Sequence, residues 1–253
     1  MKISCVYSNF VPKAKELYNL LAKKYSLFCE NEADIIVCLG GDGFMLHCLH
    51  NYIHLNKPLY GINCGSKGFL LNEKSENKDL ISNIKNSLEF RLYPLIATFT
   101  NTDGKIDNSF AFNEVSFLRS KPSSSHLSID VNDEKRMDKL IGDGLLIATP
   151  VGSTAYNRSC GGNILSTSSN MLAITPINPF NPLNWKGTTT HSGSTIEINN
   201  LDLKRPVNIY ADFHKFENIA SSKIQLFKEK HVSLLFDKNN DLESKIIKHQ
   251  FNQ

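Results

Sequence analysis

No apolar run in this chain approaches the roughly 18 residues of a membrane-spanning helix, which argues against a helical membrane protein. The N-terminus, MKISCVYSNF, is too polar for a signal peptide and predicts a first strand instead. Six cysteines (Cys5, Cys29, Cys38, Cys48, Cys64 and Cys160) are scattered without a C-x-x-C pair. In a chain with no secretory signal they read as reduced thiols, and the expected location is the cytoplasm. The net charge of +3 comes without a basic patch, so nucleic acid is not an expected partner. The Walker pattern G-x-x-x-x-G-K-[ST] is missing, and GINCGSKGF does not fit it, so an ordinary P-loop is not expected. G-x-S-x-G is missing too, which leaves a hydrolase nucleophile elbow without support. There is no internal repeat and no low-complexity segment. Lys far outnumbers Arg and Asn is abundant, a compositional bias rather than a functional one.

What remains is an ordinary globular composition: 253 residues, 41% apolar and 21% charged, long enough for one large domain or two small ones. KISCVYS reads as a strand. Pro12 opens a helical pattern in PKAKELYNLLAKKY, with Leu17, Leu20, Leu21 and Tyr25 on one face. DIIVCL is an almost unbroken apolar run, as in a parallel strand covered on both sides. FMLHCLHNYIHL reads as helix, PLYGINC as strand and ENKDLISNIKNSLEF as helix. This alternation predicts a doubly wound, Rossmann-like α/β domain. Near residue 91 the texture changes. RLYPLIATFT, SFAFNEVSFLR, SSHLSIDVN, KLIGDGLLIATP, STIEINNL, PVNIYADF, SKIQLFK and VSLLF are short strands divided by Asn, Asp, Gly and Pro, predicting an all-β second domain. DLESKIIKHQF turns amphipathic again and could pack back on the first domain.

Three clusters carry chemistry. In DIIVCLGGDGFML, Gly40, Gly41 and Gly43 allow a ligand close to the backbone at the end of a parallel strand. The helix that follows offers free N–H groups and a positive dipole end suited to phosphate. Asp42 could take a proton from an attacking hydroxyl, orient a bound metal, or merely cap the helix. In AFNEVSF, Asn113 and Glu114 place an amide beside a carboxylate, able to grip a sugar diol or a base edge, though alone such a pair also suits a surface turn. In IGDGLLIATPVGSTAYNRSCGGNIL, five glycines accompany Asp143, Ser153, Thr154, Tyr156 and Ser159, a composition that favours a ligand loop over a simple β-arc. His47, His50 and His54 share a helical face beside Cys48. No carboxylate or second cysteine completes a ligand set there, so no protein-held metal is expected.

In this order the clusters resemble the NAD kinase family, bacterial type, whose members carry GGDGT, G-I-N-x-G-x-x-G-F-L, an N-E pair and D-G-L-x-x-x-T-P-x-G-S-T-A-Y. Here they read GGDGF, GINCGSKGFL, NEV and DGLLIATPVGSTAYNRSCGG, and ITPINPF resembles a further family segment, so the likeness spans nearly the whole chain. GGDG alone is weak, being shared with lipid kinases and phosphofructokinases; TPVGSTAY is far more specific. The resemblance implies phosphoryl transfer from ATP, or another donor, to the 2′-hydroxyl of the adenosine ribose of NAD. It implies an α/β domain over 1–93 plus 234–253 and a β-sandwich domain over 94–233, with the ligand between them and the tail returning to the first. Asp42 is then the general base. Gly43, Asn113, Glu114, Asp143, Thr154, Ala155, Tyr156, Asn157, Arg158 and Ser159 are the substrate-binding residues. A divalent ion, Mg²⁺, arrives with the nucleotide donor. The implied assembly is a homodimer or homotetramer in which Asp143 reaches a neighbour's ligand. Three positions depart from the family: Phe44 in place of Thr, Ile141 where many members have Arg, and Asp212-Phe213-His214 in place of a D-G-Q-like run. Two other readings are a lipid or sugar kinase sharing GGDG, and a non-catalytic dinucleotide-binding sensor.

Overall fold

The computed structural model describes residues 1–66, 68–74, 79–238 and 241–251. In chain order the elements are β1 (Ile3–Tyr7), α1 (Pro12–Lys24), β2 (Ile35–Gly40), α2 (Asp42–Tyr52), β3 (Leu59–Asn63), α3 (Leu80–Asn86), β4 (Leu88–Leu92), β5 (Leu95–Asn101), β6 (Ile106–Ala111), β7 (Glu114–Arg119), β8 (Ser125–Val131) and β9 (Glu134–Ala148). They continue with α4 (Tyr156–Ser159), β10 (Met171–Asn181), β11 (Thr188–His191), β12 (Ile196–Asn200), β13 (Val207–Ala211), β14 (His214–Phe216), β15 (Ile219–Leu226), β16 (Val232–Phe236) and α5 (Leu242–Phe251). Contacts divide the chain into two units, Met1–Tyr93 with Glu229–Gln253, and Pro94–Lys228.

The first unit is a five-stranded sheet in the order β1-β2-β3-β16-β4. β1, β2, β3 and β16 run parallel, and β4 is antiparallel to β16. All six residues of β2 are buried, as a central strand covered on both faces requires. Ile35, Val37 and Leu39 face a cluster shared with Ala14, Leu17 and Leu21 of α1 and Leu80 and Ile84 of α3. By strand alternation Ile36 and Cys38 face the other way, the side on which α2 buries Met45, Cys48 and Leu49. Leu20, expected on the inner face of α1, is 61% exposed. Pro12 does occupy the first turn of α1. All six cysteines are free thiols.

Two sequence expectations are corrected here. VSLLF is not a strand of the second unit: as β16 it enters the first sheet between β3 and β4. An apolar pentapeptide identifies a strand but not its partner, and this one pairs with β3 through Leu234 and Leu59. The helix expected over ENKDLISNIKNSLEF covers only α3, and LEF begins β4. The Asp79 carboxylate caps α3 at Ser82 N–H, and the helix ends at Ser87. Residues 76–78 of that expected helix lie outside the described residues.

The second unit is all-β. Eleven strands form one hydrogen-bonded sheet, with β14-β13-β7-β9-β8-β12-β15-β5-β6 as its main path and β10 and β11 branching from β9. The sheet curls on itself: β5 touches β7, and β13 touches β6, without being ladder neighbours. The inner face closes on a core that includes Leu95, Phe99, Phe117, Leu127, Leu145 and Ile209. Trp185, the chain's one tryptophan, packs against that core.

Candidate active site

In the first unit the glycines at the end of β2 and just beyond it divide their work. A Cβ on Gly40 would stand 2.7 Å from Phe44 Cδ1, so this glycine makes room for the Phe44 ring. Added Cβ atoms on Gly41 and Gly43 meet nothing within 4 Å, so the open ground lies around these two. Asp42 is the first residue of α2, where the helix dipole favours a negative charge. Its carboxylate does not cap the helix. It reaches instead to the loop after β3, accepting Phe69 N–H at 2.8 Å on Oδ2 and Leu70 N–H at 2.9 Å on Oδ1. A carboxylate offers about four lone-pair sites, so two remain for a substrate hydroxyl. The loop is held at both ends. Asn63 Oδ1 accepts Gly65 N–H at 2.9 Å. Asn72 donates its side-chain amide to Gly61 O (3.1 Å) and Leu235 O (2.9 Å), tying β3 to β16. Gly40 is the register partner of Asn63. A cleft of about 440 Å³ opens at this end of β3, lined by Asn63, Cys64, Gly65, Glu73, Lys74 and, from α1, Lys13.

In the second unit Asn113 and Glu114 stand where β6 passes into β7, and a residue unremarked except as a departure organises them. Asp212, at φ 53°, accepts the N–H groups of Phe112 (2.7 Å), Asn113 (3.0 Å) and Glu114 (3.2 Å). Its own N–H donates to Glu114 O at 3.1 Å. Glu114 Oε2 is buried and has no hydrogen-bond partner. Burial, then the charge of Asp212, pushes the Glu114 carboxyl up to about 8. A buried acceptor left open in this way suits a ligand's hydroxyl or amino group.

The TPVGSTAY loop is bound tightly to this pair. Thr149 donates its hydroxyl to Phe112 O (2.7 Å) and accepts Gly152 N–H (3.0 Å). A Cβ on Gly152 would fall 2.0 Å from Asn113 O, so only glycine permits the two backbones to meet. Thr154 turns its hydroxyl to Val151 O at 3.2 Å, and Ala155 precedes the short α4. Tyr156 is 37% exposed. Burial raises its hydroxyl most, then Cys160, with Asp143 and Glu114 adding to the shift. Ser159 is exposed and Arg158 half-buried. Asn157 has a different task. It is 0% exposed, donating to Ser153 O (3.0 Å) and Asn163 O (2.9 Å) and accepting the Thr175 hydroxyl at 2.6 Å. Its polar atoms are consumed in shaping the loop.

Asp143 lies within β9. Its carboxylate meets Arg119 Nε at 2.5 Å and Asn178 Nδ2 at 2.9 Å. Asn178 first, then Arg119, holds it below the usual carboxylate range. The glycines beside it serve the sheet: a Cβ on Gly144 would lie 1.8 Å from Phe117 O, and one on Gly142 would lie 2.9 Å from Asn178 O. Among the described residues no group of three His, Cys, Asp or Glu could hold a metal ion. No described helix is long and apolar enough to cross a membrane.

An α/β unit with a glycine-flanked carboxylate at a strand end, joined to a large antiparallel sheet, is the fold of the NAD and NADH kinases. Yeast NADH kinase complexed with NADH matches at a TM-score of 0.82, with 18% identity, over 100% of this chain and 88% of that one. The NAD kinase of Archaeoglobus fulgidus in complex with ATP matches at 0.74, with 23% identity, over 98% of both. Residues 8–89 match the ATP-NAD kinase N-terminal domain and residues 112–212 the C-terminal domain. The NAD kinase of Rickettsia prowazekii (strain Madrid E) is 43% identical over 100% of this chain and 98% of its own length. That of Rickettsia bellii (strain OSU 85-389) is 44% identical over 99% and 98%. The chain belongs to the NAD kinase family.

Proposed function

We propose that the protein transfers the terminal phosphoryl group of ATP to the 2′-hydroxyl of the adenosine ribose of NAD, giving NADP and ADP. The observation that carries this reading is the Asp42 carboxylate, fixed by two backbone amides at the end of β2 with open ground over Gly41 and Gly43. In the proposed step the hydroxyl oxygen bonds to the terminal phosphorus, the bond to the ADP oxygen breaks, and Asp42 accepts the proton. Gly43 leaves room for phosphates.

Asn113 and Glu114 are assigned to the adenosine half of NAD, its base edge and sugar hydroxyls; the open Glu114 Oε2 supports this. Thr154, Ala155, Tyr156, Arg158 and Ser159 are assigned to the ligand-facing side of their loop, with Asn157 as its internal anchor. The donor enters as its Mg²⁺ complex. The ion would be carried mainly by the substrate phosphates, as is common for Mg²⁺, which leaves Asp42 to act as the base. We place the enzyme in the cytoplasm as a homodimer or homotetramer, with Asp143 acting at a neighbouring subunit's ligand. Incubation of the purified protein with NAD, ATP and Mg²⁺, followed by enzymatic assay for NADP, tests the reading. NADP formation at many turnovers per site is expected, and its absence with NAD and ATP both bound would overturn it.

A further inference from the structure

Lys245 of α5 sends its side chain to the loop that holds Asp42. Its ammonium donates to Gly68 O at 3.4 Å, to Phe69 O at 3.5 Å and, in a shorter contact, to Leu71 O. It also stands 5.3 Å from the centre of the Phe236 ring on β16. The Gly68 carbonyl and the Phe69 N–H belong to one planar peptide unit; the Phe69 carbonyl and the Leu70 N–H belong to the next. Each of these units therefore meets Lys245 at its oxygen and Asp42 at its nitrogen. A cation on the carbonyl polarises the amide and strengthens the hydrogen bond given by its N–H. Gly68 itself is packed against Leu71, since an added Cβ would lie 3.0 Å from Leu71 Cδ1.

We propose that Lys245 is a positioning residue for phosphoryl transfer, orienting and polarising the two peptide units that clamp Asp42. The inference rests on the reading of Asp42 as the base. The acids whose charges reach Lys245 are Glu73 beyond the loop, Asp42 on α2, Asp237 after β16 and Asp241 before α5. Burial lowers the Lys245 pKa and these four acids oppose that shift. The site is thus one in which the ammonium is both partly desolvated and compensated. Leu242 and Ile246 of the same helix are buried, and they fix the helix from which Lys245 reaches.

The test compares Lys245→Met, which keeps the length and removes the charge, with Lys245→Cys before and after alkylation by 2-bromoethylamine, which restores an ammonium. Wild type and Lys245→Met are alkylated in parallel to control for the native cysteines, and circular dichroism reports folding. We expect kcat to fall about 10- to 100-fold in Lys245→Met, the scale of a small misplacement of a reacting group, with KM for NAD within about threefold. Aminoethylation of Lys245→Cys should restore at least about a third of the lost kcat. A Lys245→Met kcat within about twofold of wild type overturns the proposal. So does a loss that is not reversed by aminoethylation, the signature of a purely structural role. Should Lys245→Met fail to fold, the paired Lys245→Cys samples decide by the same reversal. Asp42→Asn runs alongside: full turnover there would sink the base assignment itself, whereas its inactivity beside an unimpaired Lys245→Met would sink only the role of Lys245.

Discussion

Replacing Glu114 by Gln should change how stability depends on pH. The carboxyl keeps its proton to about pH 8 in the folded chain and to about 4.5 otherwise. Folding therefore takes up a proton between those values. The stabilisation is fully present below 4.5 and is lost as the pH rises through about 8. About 3.5 pH decades at about 1.4 kcal/mol each give about 5 kcal/mol as an upper limit. Although Oε2 is buried, the residue as a whole is partly exposed, so water offsets part of the penalty and about 2–3 kcal/mol is expected. Gln is nearly isosteric and does not titrate. The unfolding free energy of the variant minus that of wild type should then rise by this amount between pH 4.5 and 9. Taking the difference cancels the ionising groups that Glu114 does not touch electrostatically; those it does touch include Asp212, Tyr156 and Cys160. Urea unfolding followed by Trp185 fluorescence suits the purpose, because the only tryptophan packs on the core of the same unit. A difference flat to within about 0.5 kcal/mol across that range would refute the account of a desolvated carboxyl.

Asp42→Asn should slow phosphoryl transfer by roughly 10²–10⁴-fold while leaving NAD affinity within a few-fold; calorimetry and a turnover assay separate the two. Excess EDTA should abolish activity and added Mg²⁺ restore it, so full activity in EDTA would remove the divalent ion from the reaction. Glu114→Ala should weaken NAD binding by about 1–3 kcal/mol, the cost of hydroxyls left unpaired, and an unchanged titration would take Glu114 out of the site. If Asp143 serves a neighbour's ligand, mixing inactive Asp42→Asn with inactive Asp143→Ala subunits under exchange conditions should restore part of the activity, whereas sites built from one chain would stay silent.

The parts of the fold that could be read in the sequence are those whose cause is local. DIIVCL is buried along its whole length as β2, because a covered parallel strand must be apolar on both faces. Pro12 begins α1 because its fixed φ suits a first helical turn. Local signals failed where the partner is remote. VSLLF has the alternation of any strand, and nothing within it names β3 and β4 as neighbours. Lys245 looks like one lysine of an amphipathic tail, yet it answers to carbonyls 174 to 177 residues earlier. Asp212 registers only as a departure from a family pattern, while its carboxylate holds three amides about a hundred residues away. Asn157 and Gly144 carry a structural task that the motif does not announce, one through its buried side-chain hydrogen bonds and the other through close strand packing. Asp42, held by two amides, and Glu114, with an unpartnered oxygen, each combine a legible motif with a structural reason to expect a ligand.

The late strand in the first sheet has a consequence for the nascent chain. Among the described residues β4 pairs with no strand except β16, and about 140 residues separate the end of one from the start of the other. At roughly 5–20 residues per second, a ribosome leaves β4 and one edge of β3 without their partner for on the order of ten seconds. During that interval the whole second unit emerges and can fold as an insertion. The first unit must wait for it, with an unsatisfied strand edge of the kind that recruits other chains. A chain stalled before β16 emerges would thus hold all eleven strands of the second sheet but only four of the five strands of the first.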